Sequence, residues 1–389
     1  MLRGLTFVLA LLAAGLTGTA LQAAPKSAHR AAAGPRSVVL VTLDGLSWTE
    51  VFRGADAARA KTLAYVPADE AEAVQRAFVV PADRAKALAP FLHEVIARQG
   101  VLLGDRDQGG CAAVANARWF SYPGYNEILT GRADDAIASN EHGPNKNVTV
   151  LEWLNHQPGF AGRVQAMTSW ANFADIINAP RSGVPVNAGW EGQPRQNPAK
   201  GSVESQRLET SAQVPHIWPT VRFDAFTHAW ALDALRRDHP RVLYVAYGET
   251  DDFAHDGRYD QVLWSAQRTD AFLAELWRTL QADPVYAGKT TMIITTDHGR
   301  GLGPSAGAWR SHGKPAFPGS DQTWMGLIGP DVPKGGALAA GSCASASQVA
   351  ASLLQALGLD WRTFDGAIGA PLSLTSSSVA APASVGARP

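Results

Sequence analysis

The chain is poor in cysteine, in net charge and in long apolar runs, and each shortage excludes something. Only two cysteines, Cys111 and Cys343, stand among its 389 residues. Neither lies in the close paired spacing of a cysteine-held zinc or iron–sulfur site. Their distance in the chain leaves two states open, a disulfide or two buried thiols. The formal net charge is −1, which argues against nucleic acid or an anionic membrane as a bulk electrostatic partner. A small anionic ligand stays possible, because a bound cation can dominate a local field. Beyond the first two dozen residues no segment is long and apolar enough to span a bilayer, so no stable membrane insertion is expected. Internal repeats are absent as well.

What is present begins with a three-part leader. Arg3 supplies an early positive charge, an apolar run extends from Leu5 to about Ala20, and Ala20-Leu21-Gln22-Ala23-Ala24 offers small residues for cleavage. That pattern is a secretory signal peptide over residues 1–23, with export to a periplasm or to the exterior as its consequence. An uncleaved anchor is the alternative, weakened by Gly15 and Gly18. Residues 24–36 read as a flexible leader, 37–373 as one catalytic-size domain and 374–389 as a tail too poor in apolar side chains to pack.

Three runs inside that domain read as strands buried on both faces of a parallel sheet: Ser37–Leu43, Arg241–Tyr247 and Thr291–Thr296. Between the last two, the apolar stripe from Leu263 to Leu280 predicts a helix. Strand, helix, strand predicts a right-handed crossover and an α/β sandwich, with a mostly parallel central sheet flanked by helices. Further helices are expected at Ala89–Gln99, Thr149–Asn155, Phe223–Asp238 and Ser347–Leu357, and at Asn126–Thr130 after a Tyr122-Pro123-Gly124 turn. The stretch from about 170 to 220, dense in Pro, Gly, Asn and Trp, reads as an inserted cap or a decorated surface loop.

Carboxylates and imidazoles gather where these strands end. Asp44 follows the first, Asp251 and His255 the second, Asp297 and His298 the third. In open α/β sheets ligands bind outside the carboxyl ends of the strands, so these residues have a reason to converge. Each alone is weak, since a single Asp at a strand end is commonly a cap or turn former. Three such ends together point to a bound cation. Asp251 and His255, four residues apart, share one face if the segment is helical.

The motifs Leu43-Asp44-Gly45, Asp251-xxx-His255, Thr296-Asp297-His298-Gly299 and Ser311-His312-Gly313 resemble the alkaline phosphatase superfamily, in its nucleotide pyrophosphatase/phosphodiesterase-like branch. The resemblance implies an alkaline-phosphatase-like fold and metal-dependent hydrolysis of a small phosphate ester, phosphodiester or phosphomonoester. By the same likeness Ser121, in Ser121-Tyr122-Pro123-Gly124-Tyr125, is the nucleophile and is phosphorylated in passing. One metal site would hold Asp251, His255 and His312, the other Asp44, Asp297 and His298, with Ser121 between them. Such nitrogen and oxygen donors suit two divalent ions, Zn²⁺ first and Mn²⁺ second. The Tyr122 N–H and an amide are expected to hold phosphoryl oxygens, with Asn140 the candidate and Asn145 and Asn147 its rivals. No Cys/Ser-x-Pro-x-Arg stands near Ser121, which weighs against the formylglycine chemistry of sulfatases. Met167–Asn172 lacks the Lys or Arg of monoester specialists; Arg163, Arg181, Arg300, Arg310 and Lys314 could substitute. Trp170, Phe173 and Trp190 are candidate apolar substrate contacts, and Gly299–Gly303 reads as a flexible loop. A phosphoryl transferase or mutase and a catalytically silent metal-binding relative are the alternatives, as is an unknown oligomeric state.

Overall fold

The computed structural model describes residues 35–63, 66–190, 202–303, 305–338, 341–365 and 368–375. Residues 1–34, which hold the expected signal peptide and most of the expected flexible leader, and the tail beyond 375 lie outside the described residues. In chain order the strands are β1 (Ser37–Leu43), β2 (Val101–Leu103), β3 (Ala112–Ala113), β4 (Val164–Thr168), β5 (Val186–Ala188), β6 (Val242–Tyr247), β7 (Thr290–Thr295), β8 (Met325–Ile328), β9 (Ala337–Leu338), β10 (Ala344–Ser345) and β11 (Leu374–Thr375). Seven of them form one sheet in the order β2-β8-β7-β1-β6-β4-β5. Only β8 breaks the parallel run, pairing antiparallel with both β7 and β2. The mixed α/β fold with helices flanking a central sheet is therefore the one read from the sequence.

The unbroken apolar runs have a direct cause. Alternate side chains of β1 enter different cores: Val39, Val41 and Leu43 join one, and Val38 and Leu40 join the other. A strand with both faces covered has no polar side to show, so its sequence loses the alternation of a half-exposed strand. The helices Asp224–Arg237 and Tyr259–Ala282 bury Trp230, Leu235, Leu263 and Leu273 in the first core. The helices Ser121–Thr130 and Val349–Ala356 pack into the second with Ile128, Leu129, Leu353 and Leu354. No described helix is long and apolar enough to cross a membrane.

Three expectations need correction. The Tyr122-Pro123-Gly124 stretch is not a turn before a helix but the first turn of the helix Ser121–Thr130. Proline is tolerated there because first-turn N–H groups have no intrahelical acceptor to lose. The supposed cap begins as part of the sheet: Val186–Ala188 pairs with Ala166–Thr168 as the edge strand β5, and three residues are too few to display a period. Of the rest, Val203–Gln213 is helical, while residues 191–201 lie outside the described residues. The supposed tail starts late, since Leu374 and Thr375 pair with Leu338 and Ala337.

Cys111 and Cys343 are joined in a disulfide across a separation of 232 residues. It lies beside the parallel pairing of Ala112–Ala113 with Ala344–Ser345. The bond therefore ties the segment before the Ser121 helix to the one that leads into the last helix.

Candidate active site

Neighbouring strands β7, β1 and β6 end side by side, and their carboxyl ends carry the acidic and imidazole groups. Asp44 follows β1, Asp297 and His298 follow β7, and β6 runs through Gly248 into the short helix Glu249–His255. That helix puts Asp251 and His255 on one face, with His255 Nε2 3.1 Å from Asp251 Oδ2. His312 arrives from the loop after β7 and places its Nε2 3.0 Å from His255 Nε2 and 3.7 Å from Asp251 Oδ1. Around His298, Nε2 lies 3.3 Å from Asp44 Oδ1, 3.5 Å from Asp297 Oδ2 and 3.7 Å from Asp251 Oδ1. Ser121 is the first residue of its helix, and its Oγ lies 3.3 Å from the same His298 nitrogen.

These groups form two donor clusters that share His298: Asp44, Asp297 and His298, and Asp251, His298 and His312. His255 extends the second cluster on its solvent side. The structure thus brings Ser121, Asp44, Asp251, His255, Asp297, His298 and His312 into one site.

The donor set fits metal ions on a test internal to the molecule. Asp44 Oδ1 and Asp297 Oδ2 are buried without a hydrogen-bond donor. Their other oxygens are engaged, Asp44 Oδ2 by the Tyr125 hydroxyl at 2.9 Å and Asp297 Oδ1 by the Gly45 N–H at 3.1 Å. Leaving a buried carboxylate oxygen unsatisfied is costly, so an orphan on each of two adjacent acids marks a place for a cation. His298 Nδ1 lies 2.8 Å from the Gly299 carbonyl; a proton there donates to that oxygen and frees the Nε2 lone pair for a ligand.

Electrostatics point the same way. Burial, reinforced for Asp44 by Asp251 and for Asp297 by Asp44, raises both carboxyls above the usual carboxylate range. Burial also works against ionisation of Asp251, yet Arg300, His312 and His255 together hold it well below that range. His298 is pushed up to about 9, because Asp297, Asp44 and Asp251 outweigh the burial that opposes its charge. Three carboxylates around one imidazole is an arrangement that divalent charge relieves.

Several positioning residues have no clear local signal in the sequence. Asp224, at the start of its own helix, accepts the N–H groups of Gly248 and Glu249 at 2.8 and 3.1 Å, fixing the start of the helix that carries Asp251. Thr250 Oγ donates to the Asp44 carbonyl at 2.5 Å. Gly45 is in the left-handed region at φ 56°, and a Cβ there would lie 2.5 Å from Asp251 Oδ1. Gly124 approaches as closely: a Cβ on it would fall 2.3 Å from the Asp297 carbonyl. Both glycines are required by crowding around the acidic groups.

Arg300 is the largest surprise. Expected in a flexible loop or on the surface, it is buried, and its guanidinium binds the Asp251 carboxylate and donates to the Asp251 and Gly45 carbonyls. Its place two residues after His298 was the only hint. Of the other cations, Arg163 donates to the His239 carbonyl and Arg181 is held by Glu152.

Asn140 accepts the Tyr122 N–H on Oδ1 at 2.9 Å. This corrects the expectation for Tyr122, whose N–H is already satisfied, and leaves the Asn140 amide nitrogen as the donor to offer. Its rivals are committed elsewhere: Asn145 to Asn126 and the Ile176 carbonyl, Asn147 to Asn126 and Asp134. The aromatic candidates divide too. Phe173 packs on Tyr125 and Tyr244 in the core, and Trp190 is buried, stacked on His216. Only Trp170 keeps part of its surface exposed.

Comparison with known structures finds the same architecture. A putative sulfatase from Bacteroides thetaiotaomicron superposes with a TM-score of 0.52 at 10% identity, covering 84% of this chain and 71% of its own. Ps i-CgsB, in complex with k-i-k-neocarrahexaose, gives 0.50 at 15% identity, with 84% and 72% covered. At these identities the likeness is one of fold. No curated protein matches the chain in sequence. Residues 130–305 match the family model of type I phosphodiesterase / nucleotide pyrophosphatase. That match spans less than half of the chain. The matched stretch contains Asp251, His255, Asp297 and His298.

Proposed function

We propose that this chain is a member of the alkaline phosphatase superfamily and hydrolyses phosphate esters, diesters in preference to monoesters, with Ser121 as nucleophile beside two divalent metal ions. The observation that carries the reading is the position of Ser121 Oγ, 3.3 Å from His298 Nε2 at the meeting of both donor clusters. Asp44, Asp297 and His298 would hold one ion, and Asp251, His255 and His312 the other. Zn²⁺ is the first choice for such donors and Mn²⁺ the second. When bound, the ions supply positive charge that favours the Ser121 alkoxide and offsets charge on the transferring oxygens.

The chain's own residues do the rest. Ser121 Oγ bonds to phosphorus as the bond to the leaving oxygen breaks, and water then cleaves the resulting phosphoserine to regenerate the hydroxyl. The Asn140 amide, oriented through its bond to the Tyr122 N–H, donates to a phosphoryl oxygen. Asn172 steadies Asn140 by donating to its carbonyl at 2.9 Å. A diester preference is supported by the family matched and by the lack of a cation in Met167–Asn172.

A sulfate-ester reading, raised by the sulfatase neighbour, is disfavoured by Tyr125. It stands where the formylglycine motif has arginine, and it donates to Asp44. A transferase would share the phosphoserine and differ only in the acceptor, so product analysis with added alcohol separates the two.

The test is metal content measured together with release of nitrophenol from bis-p-nitrophenyl phosphate and p-nitrophenyl phosphate. Ser121→Ala is expected to keep fold and metal and to lose turnover by roughly 10⁴-fold or more. Turnover of Ser121→Ala close to that of the unaltered protein would overturn the nucleophile assignment.

A further inference from the structure

The loop that delivers His312 carries a cation on either side of it, Arg310 and Lys314, both exposed. Neither has a carboxylate partner among the described residues. Arg310 lies toward the His255 side of the site: a Cβ on Gly257 would fall 2.8 Å from its guanidinium carbon. Lys314 lies toward the Ser121 side, its ammonium 5.2 Å from the ring centre of Trp119. Its backbone N–H donates to the Arg118 carbonyl at 3.1 Å, which ties the His312 loop to the approach to Ser121.

Trp119 itself is unusual. It has φ 62°, in the left-handed region that a bulky side chain rarely enters. Its N–H and that of Arg118 both donate to Asn116 Oδ1, at 2.9 and 3.1 Å. Asn116 is anchored in turn, its amide donating to Glu127 Oε2 on the Ser121 helix at 3.0 Å. Such a conformation persists only where its surroundings over-determine it, and strained positions of this kind cluster at ligand sites. Here the strain turns an indole ring toward the Lys314 ammonium, two residues before the serine.

A site rich in carboxylates thus has Arg310 and Lys314 flanking its His312, each exposed and without a carboxylate partner among the described residues. These flanking positions therefore differ in charge from the acidic centre. We propose that Arg310 and Lys314, the latter steadied on Trp119, form a subsite for a second anionic group of the substrate, carried on the arm beyond the scissile phosphoryl group. This rests on the phosphate-ester reading above but concerns specificity, and it involves no bond-making step. Trp119 acts as a positioning residue: a cation held against an indole face has less freedom to lose when it meets an anion.

Two kinds of non-hydrolysable probe separate the two readings. Phenylphosphonate offers the phosphoryl group alone, whereas its 3- and 4-carboxy derivatives add an anion on the arm. Their affinities for the metal-loaded protein are measured by calorimetry. One of the carboxylated probes is expected to bind about 10-fold more tightly than phenylphosphonate, the gain of one charge-assisted contact. In Arg310→Ala/Lys314→Ala the ratio falls to about one while phenylphosphonate affinity stays within about 3-fold; Lys314→Arg keeps most of the gain. Trp119→Leu reduces the gain in part.

A ratio near one in the unaltered protein, or one unchanged in the double variant, would overturn the subsite and leave the phosphoryl site standing. Equal weakening of both probes would overturn it too, by assigning the cations to the scissile group. Failure of every phosphonate to bind would overturn both readings.

Discussion

The buried carboxylates of this protein include two groups that differ in what faces them. Glu127, on the Ser121 helix, is enclosed and fully supplied. It accepts the N–H groups of Ala115 and Asn116 at 2.8 and 2.9 Å, the Asn116 amide at 3.0 Å and the Ser347 hydroxyl at 2.7 Å. Asp44 and Asp297, at the strand ends, are as deeply buried, yet each keeps one oxygen without a donor. Burial therefore does not distinguish a structural acid from a functional one. On the proposed reading of Asp44 and Asp297 as metal donors, the state of its second oxygen does. A buried carboxylate answered by neutral donors builds the fold, and one left half-answered reserves the place for a ligand.

The comparison is broken most sharply at Asp297. In the metal-free protein Asp297→Asn replaces a carboxyl whose ionisation burial and Asp44 both oppose, so that variant is expected to be the more stable of the two. With Zn²⁺ or Mn²⁺ added the order reverses. The unaltered protein gains about 4 kcal/mol at a metal concentration 1,000 times Kd, and the variant gains much less. Thermal unfolding with chelator and with metal reads both terms. If metal stabilised both proteins equally, the orphaned oxygens would not be metal donors.

Glu127→Gln is the converse. It replaces one acceptor oxygen by an amide that points N–H groups at donors, in a site with nothing to reorganise toward. Stability is expected to fall by about 3 kcal/mol with or without metal. Denaturant unfolding under both conditions checks it, and a loss seen only with metal present would place Glu127 among the ligands instead.

This difference also explains what could be read from the chain. The three central strands were legible because strands covered on both faces are continuously apolar, and each ends in a metal-donor type. Asp44, Asp251, His255, Asp297 and His298 stood out through their position at strand ends, and His312 only through the resemblance carried by Ser311-His312-Gly313. The Glu127 cradle did not, since Ser347 reaches it from 220 residues away and Asn116 from a loop, and no local pattern announces either. Arg300 was lost for a related reason. An arginine in a glycine-rich stretch has the signature of a solvated loop, and only the fold reveals that Asp251 buries it. Pro123 misled because the same residue that breaks a helix interior is at home in its first turn. Short elements such as β5 carry too few residues for any period to register.

Asp270 lies between the two groups and provides the finest test. Both its oxygens have a donor, the N–H groups of Phe91 and Leu92 at 2.7 and 3.0 Å, but no cation among the described residues pairs with it. Burial pushes its carboxyl up to about 7, against the pull of those two backbone donors. The folded chain then holds a proton that the unfolded chain has released above pH ~4. Stability from this group is therefore complete below pH ~4 and is lost as the pH rises toward 7. Between pH 5.5 and 6.5 the unaltered protein is expected to lose about 1 kcal/mol relative to Asp270→Asn, whose amide carries no titrating proton. Urea unfolding of both proteins across that interval isolates the difference, because the other acids are common to both. Parallel stability curves would mean that the two backbone donors alone keep Asp270 ionised. It would then join Glu127 as an acid whose oxygens the fold fully answers.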